Sequence, residues 1–222
     1  MNQIILKKFN PTILEKKRKE RTAPICIIIG RKSSGKSVLV QDLLYHLTDI
    51  PTVLCVSDPS YEFNECYSKY IPEEFKYSSY NSDTIKKIIK DNPETGIILD
   101  DFPCDKKTLS DITNDILNLK DHNTMLITFQ YTMLLFPLFM MNIDYVFIFR
   151  CNIRNNIKRL YDYFFSCFDT FTFDNFKKVF DVCTKNYECL VIDNTIKSNK
   201  IEDRVFWYKA IPNIIDSGRL VN

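Results

Sequence analysis

The sequence predicts an α/β fold in which a mostly parallel sheet is sandwiched by helices. Two observations carry the prediction. From residue 24 onward, apolar runs of strand length alternate with longer segments of mixed polarity. The first run passes through a glycine-bounded loop straight into a helical pattern, "ICIIIGRKSSGKSVLVQDLLYHL" over 25–47. The 222 residues, 45% hydrophobic, suffice for one large domain with a substantial core.

Taken in order, residues 1–22 form a basic N-terminal arm. In "EKKRKER" Lys16, Lys17, Arg18, Lys19 and Arg21 outnumber Glu15 and Glu20. Such a run reads as a flexible or peripheral segment, either simply solvated or in contact with nucleic acid or a partner. The domain proper covers 23–222. Its strands are "PICIII" (24–29), "TVLCVS" (52–57), "GIILD" (96–100), "TMLITF" (124–129) and "DYVFIF" (144–149), with helices near 36–47, 82–91 and 106–120. Residues 151–222 add amphipathic segments near 153–166 and 174–184. The runs "ECLVID" (188–193) and "VFWYKA" (205–210) follow as extra strands that either extend the sheet edge or form a small add-on.

A net charge of +2 excludes a strongly basic DNA coat and leaves room for a local basic surface. The eight cysteines show no C-x-x-C spacing and no nearby histidine pair, which points to reduced thiols in a cytosolic compartment. "MNQIILKKFN" lacks the sustained apolar segment of a signal peptide. The longest apolar stretch, "MLLFPLFMM" at 133–141, is broken by Pro137. It falls well short of the ~20 residues that a membrane span needs. The expectation is a soluble protein, with recruitment to a membrane left to a partner.

The motif at 30–37 is G-x-x-x-x-G-K-S in a chain with only four glycines. Strand, glycine-bounded loop and helix are the context a phosphate-binding P-loop requires. Gly30 and Gly35 permit backbone angles that turn the N–H groups of Arg31, Lys32, Ser33, Ser34, Gly35 and Lys36 around phosphate oxygens. The helix then points its positive end at the same anion. Lys36 reaches the β- and γ-phosphates, and the Ser37 hydroxyl holds Mg²⁺.

A magnesium site needs a second oxygen ligand, and "GIILDDFP" offers two whose side chains should diverge. Asp100 is assigned to Mg²⁺, through water, and Asp101 to the attacking water. Gln130, ending the next strand, carries an amide that donates to the γ-phosphate and accepts from that water at once. Arg150, with Arg154 and Arg159 close behind, supplies candidates for an arginine finger from a neighbouring subunit. The same arginines suit a DNA phosphate or a helix cap.

Strand order and the segments "ITFQY…NIDYVFIFR" (127–150) and 183–210 resemble the genome-packaging ATPases of poxviruses and other large nucleocytoplasmic DNA viruses. These belong to the FtsK/HerA superfamily of additional-strand P-loop ATPases, in which a strand carrying a polar sensor lies between the P-loop and acidic strands. The resemblance spans about residues 24–210. It implies a homo-oligomeric ring that hydrolyses ATP with Mg²⁺ to drive double-stranded DNA, regardless of sequence, into a capsid. By the same route Lys36 and Ser37 match the Walker A pair, Asp100 the metal aspartate, Asp101 the water-activating acid and Gln130 the sensor. Superfamily motors often carry Glu where Asp101 stands. Capsid or membrane-associated viral proteins are the implied docking partners, and the viral factory in the host cytoplasm, with the virion, is the implied location. DNA contacts are expected from the basic arm and from Lys197 and Lys200.

The residues alone reach a Mg²⁺-dependent P-loop NTPase. Two rivals share the cradle: a nucleoside or nucleotide kinase, for which no arginine-rich lid is recognisable, and a nucleotide-binding scaffold or switch, which has no use for a water-positioning pair.

Overall fold

The computed structural model describes residues 5–20, 23–57, 66–101, 106–119, 123–130, 137–168 and 171–212. The chain opens with the two-residue strand β1 (Lys7–Lys8) and helix α1 (Thr12–Lys19), followed by β2 (Ile25–Ile29) and α2 (Lys36–His46). Next come β3 (Val53–Ser57), β4 (Lys76–Tyr77), α3 (Ser82–Asp91), β5 (Gly96–Asp100), α4 (Lys106–Leu119) and β6 (Met125–Phe129). The remainder is α5 (Pro137–Met140), β7 (Tyr145–Phe149), α6 (Arg154–Phe164), α7 (Phe173–Cys183), β8 (Glu188–Asp193), α8 (Ile201–Arg204) and β9 (Val205–Lys209).

Among the described residues the strands form one sheet of nine in the order β1-β9-β8-β7-β2-β6-β5-β3-β4. The strands from β7 through β2, β6 and β5 to β3 are all parallel. Ile127 of β6 pairs with Ile27 of β2 on one side and with Leu99 of β5 on the other, so β6 is the additional strand between P-loop and acidic strands. Beyond β7 the sheet turns antiparallel through β8 and β9. The two C-terminal runs therefore extend the sheet edge. The protein has the α/β P-loop NTPase fold of the additional-strand type.

The apolar runs are continuous because both faces of the central strands are covered. Ile25, Ile27 and Ile29 pack on the face shared with Ile85 of α3, Leu109 and Ile112 of α4, Ile157 and Leu160 of α6, and Phe176 and Phe180 of α7. Cys26 and Ile28 point the other way, toward Leu14 of α1 and Leu39, Val40, Leu43 and Leu44 of α2. Helix starts follow their capping residues: the Asn81 side chain accepts from the Thr84 N–H at 2.9 Å, and Thr172 from the Asn175 N–H at 3.3 Å. Cys26, Cys55 and Cys189 are buried core residues, and burial pushes the Cys55 thiol up to about 12. Cys104 lies outside the described residues.

The N-terminal segment departs from the expected flexible or peripheral arm. Phe9 stacks edge-on against Tyr145, Phe147 and Tyr208, and β1 pairs with β9. Leu14 is fully buried. Arg18 is buried too: its guanidinium donates to both Glu15 oxygens at 3.1 and 3.0 Å and to Glu94 at 2.9 Å. Lys17 donates to Thr195 at 2.6 Å, and Lys19 pairs with Asp49 at 2.7 Å. Lys16 is exposed and Arg21 falls outside the described residues. The cause is the apolar pair Phe9 and Leu14, which pins the charged helix to the sheet edge and to α2. No helix among the described residues is long and apolar enough to cross a membrane.

Candidate functional site

The loop leaving β2 is tied to the neighbouring strand at once, because the Gly30 N–H donates to the Phe129 carbonyl at 2.9 Å. A Cβ on Gly30 would lie 2.9 Å from the Phe149 Cβ and 2.4 Å from the Ser34 Oγ, so no side chain fits there. Ser33 and Gly35 take positive φ angles, +61° and +105°. Turning the chain this way gathers successive N–H groups into an anion-binding concavity. Gly35 is the residue before the first turn of α2, and no side chain caps that helix. The N–H groups of its first turn open on the same place. Within the loop the Ser34 hydroxyl is buried without a hydrogen-bond partner.

Lys36, 5% exposed, folds back over the loop and donates to the Gly30 carbonyl at 2.9 Å. Its ammonium also lies 3.0 Å from Asp101 Oδ2. Asp101 has a left-handed backbone at φ +42°, which turns its side chain away from the strand and toward Lys36. Gln130 donates to the same Asp101 oxygen at 3.3 Å. Asp100 points inward instead: one oxygen accepts from the Thr128 hydroxyl at 2.7 Å and the other from the Tyr67 hydroxyl. The two carboxylates thus diverge in their partners, and Thr128 sits between them, its oxygen also accepting the Asp101 N–H at 2.7 Å. Burial raises the Asp100 carboxyl above its usual range, and the neighbouring Asp101 charge adds to this. The Tyr67 and Thr128 hydrogen bonds and Lys36 oppose the rise.

Sequence reading missed Tyr67 and Thr128. Tyr67 sits in a stretch without periodicity and leaves no local signal. Thr128 lies in β6 two residues before Gln130, which follows the strand directly, the spacing that puts side chains on one face of an extended chain. That spacing is a usable signal.

These groups border one cleft of about 320 Å³, lined by Lys32, Ser33, Gly35, Lys36, Ser37, Asp100, Asp101 and Gln130, together with Ser57 and Cys66. Among the described residues no three carboxylate, thiol or imidazole groups gather into a metal cage. Magnesium does not require one, since it keeps several waters and takes one or two protein oxygens beside phosphate oxygens. The Ser37 hydroxyl and the Asp100 carboxylate on the same cleft fit that donor set.

The arginines separate. Arg150 is held by its own chain, donating to the Asp181 carbonyl at 3.2 Å with the Asp181 carboxylate 3.6 Å away. It lines a second cavity of about 190 Å³ with Gly30, Arg31 and Gln130. Arg154 is exposed in the first turn of α6, and Arg159 is exposed further along it. Lys197 and Lys200 are exposed ahead of α8.

No protein-family model matches the chain. Protein 088R of Invertebrate iridescent virus 3 is 33% identical over 199 residues, covering 82% of this chain and 74% of its own length. Protein L437 of Acanthamoeba polyphaga mimivirus is 29% identical over 209 residues, covering 84% and 72%. Among solved structures, B204, the DNA-packaging ATPase of Sulfolobus turreted icosahedral virus, superposes with a TM-score of 0.57 at 19% identity. That match covers 85% of this chain and 98% of B204 and is a likeness of fold. The chain belongs to the family of large-DNA-virus proteins that includes protein 088R of Invertebrate iridescent virus 3.

Proposed function

We propose that the protein is a Mg²⁺-dependent ATPase whose turnover drives double-stranded viral DNA into a capsid. The observation that carries the hydrolytic part is the convergence of Lys36, Asp101 and Gln130 at one end of a glycine-loop cleft. A pure binder has no need of a carboxylate and an amide meeting beside the phosphate lysine.

In this reading the N–H groups of residues 30–37 and the start of α2 hold the phosphates. Lys36 exchanges the Asp101 carboxylate for phosphate oxygens. Asp101, released, accepts a proton from the attacking water that the Gln130 amide orients. Ser37, and Asp100 through water, would hold Mg²⁺, which would supply positive charge to the phosphates. Asp100 already accepts two hydrogen bonds, and a carboxylate keeps lone pairs for a metal-bound water as well.

The packaging part is supported by the fold shared with B204 across nearly its whole length and by relatives in a mimivirus and an iridescent virus. A ring of identical subunits follows from it, with Arg154 or Arg150 offered as a finger to a neighbour's γ-phosphate. Contact with DNA would be electrostatic and independent of sequence, through exposed cations such as Lys16, Lys197 and Lys200. Capsid or membrane-associated viral proteins would dock the ring in the host-cell factory.

The test is product analysis with γ-labelled ATP and Mg²⁺. Release of inorganic phosphate, stimulated by duplex DNA of any sequence, supports the proposal. Transfer of the label to a nucleoside, or ATP binding without turnover, assigns the site to a kinase or a switch.

A further inference from the structure

The turn between α7 and β8 holds an aromatic residue where glycine would be at ease. The Glu188 N–H donates to the Lys185 carbonyl at 2.8 Å, and the two residues enclosed, Asn186 and Tyr187, both have positive φ, +50° and +64°. That is the type I′ arrangement, whose preferred pair is Asn-Gly. Asn186 conforms and Tyr187 does not: a tyrosine in the left-handed region carries backbone strain that glycine escapes. Core packing does not compensate, because Tyr187 is 67% exposed.

What the ring stands beside is the P-loop. A Cβ built on Gly35 would stand 3.5 Å from the Tyr187 Cδ1 and 3.3 Å from the Phe149 Cε1. Two rings therefore flank the last loop glycine, one buried and one open. With Asp101 and Gln130 in the roles proposed above, the sheet order sets which end of a nucleotide they meet. Asp101 and Gln130, at the ends of β5 and β6, mark the γ-phosphate on one side of β2, while β7 and β8 lie on the other. A triphosphate with its terminal group at Asp101 leads its nucleoside toward the opposite flank.

We propose that Tyr187 is the nucleobase platform, stacking its open face on the base of the nucleoside triphosphate held by the loop. This rests on the nucleotide reading above. Stacking is tolerant of which base is bound, because every base has a π-face.

Tyr187→Gly is the sharpest variant. It removes the ring and relaxes the turn, so loss of binding is not explained by a strained fold. Titration calorimetry with Mg²⁺ and two probes, ATP and inorganic tripolyphosphate, separates base from phosphate. Tyr187→Gly should weaken ATP binding about tenfold and leave tripolyphosphate binding as in the wild type, while Tyr187→Phe retains both. ATP affinity unchanged in Tyr187→Gly, or a loss of both probes by the same factor, overturns the proposal. A wild-type protein that binds neither probe removes the nucleotide reading itself, and this inference with it.

Discussion

The Lys36 ammonium and the Asp101 carboxylate form an ion pair at 3.0 Å inside the cleft, with Lys36 also bonded to the Gly30 carbonyl. The lysine proposed to hold phosphate is thus neutralised by the acid proposed to act on water. An anion that takes over the Lys36 ammonium competes with that carboxylate. Losing Lys36 removes a charge-assisted contact, whereas losing the Asp101 charge removes a competitor.

The first prediction follows. Lys36→Ala should weaken ATP binding by about 10- to 100-fold, and Asp101→Asn should bind ATP at least as tightly as the wild type. Titration calorimetry measures both. Equal losses in the two variants would contradict the assigned roles.

Thr128 bridges the acid pair, accepting from the Asp101 N–H and donating to Asp100. Thr128→Val keeps the shape but leaves a backbone N–H and a buried carboxylate oxygen short of a partner. Stability should fall by about 1–3 kcal/mol, read from the urea midpoint. Thr128→Ser should recover most of it, and a Val variant as stable as the wild type would show that the bridge contributes nothing.

Arg18 links Glu15 to Glu94, 76 residues away. Arg18→Ala leaves the buried Glu15 carboxylate with Lys19 alone, 3.4 Å away, and should cost about 1–3 kcal/mol, while the exposed Lys16→Ala should stay within about 0.5 kcal/mol. Chemical denaturation compares the two. Similar small effects would mean that the N-terminal helix is peripheral after all.

The contrast between those neighbours shows what a sequence can and cannot yield. The central strands were legible because burial on both faces makes them continuous apolar runs, and the loop because few residues other than glycine tolerate the backbone at Gly35. The inserted place of β6 was implied by the resemblance to additional-strand P-loop ATPases rather than by the residues themselves. Arg18 was not legible: a cation in "EKKRKER" reads as solvated, and its burial depends on Glu94 and on Phe9 and Leu14 reaching the sheet. Strands of two residues, β1 and β4, have no periodicity to read. Tyr67 reaches Asp100 only through tertiary folding, and the strain at Tyr187 appears in backbone angles rather than in residue type.

The ring is tested by complementation. A finger supplied in trans lets Arg150→Ala/Arg154→Ala subunits, with intact loops, pair with Lys36→Ala subunits that still carry both arginines. Mixing two inactive preparations should restore part of the ATPase activity. Additive rates with no recovery would place the arginine in cis, where Arg150 already sits beside Asp181.

The central claim is that this cleft hydrolyses a nucleotide with Asp101 acting on the water, and single-turnover phosphate release at saturating protein tests it most directly. With ATP fully bound to both proteins, the wild type should release phosphate and Asp101→Asn should do so slower by about 10²-fold or more. A wild-type protein that binds ATP without releasing phosphate, or an Asp101→Asn variant that turns over at the wild-type rate, would contradict it.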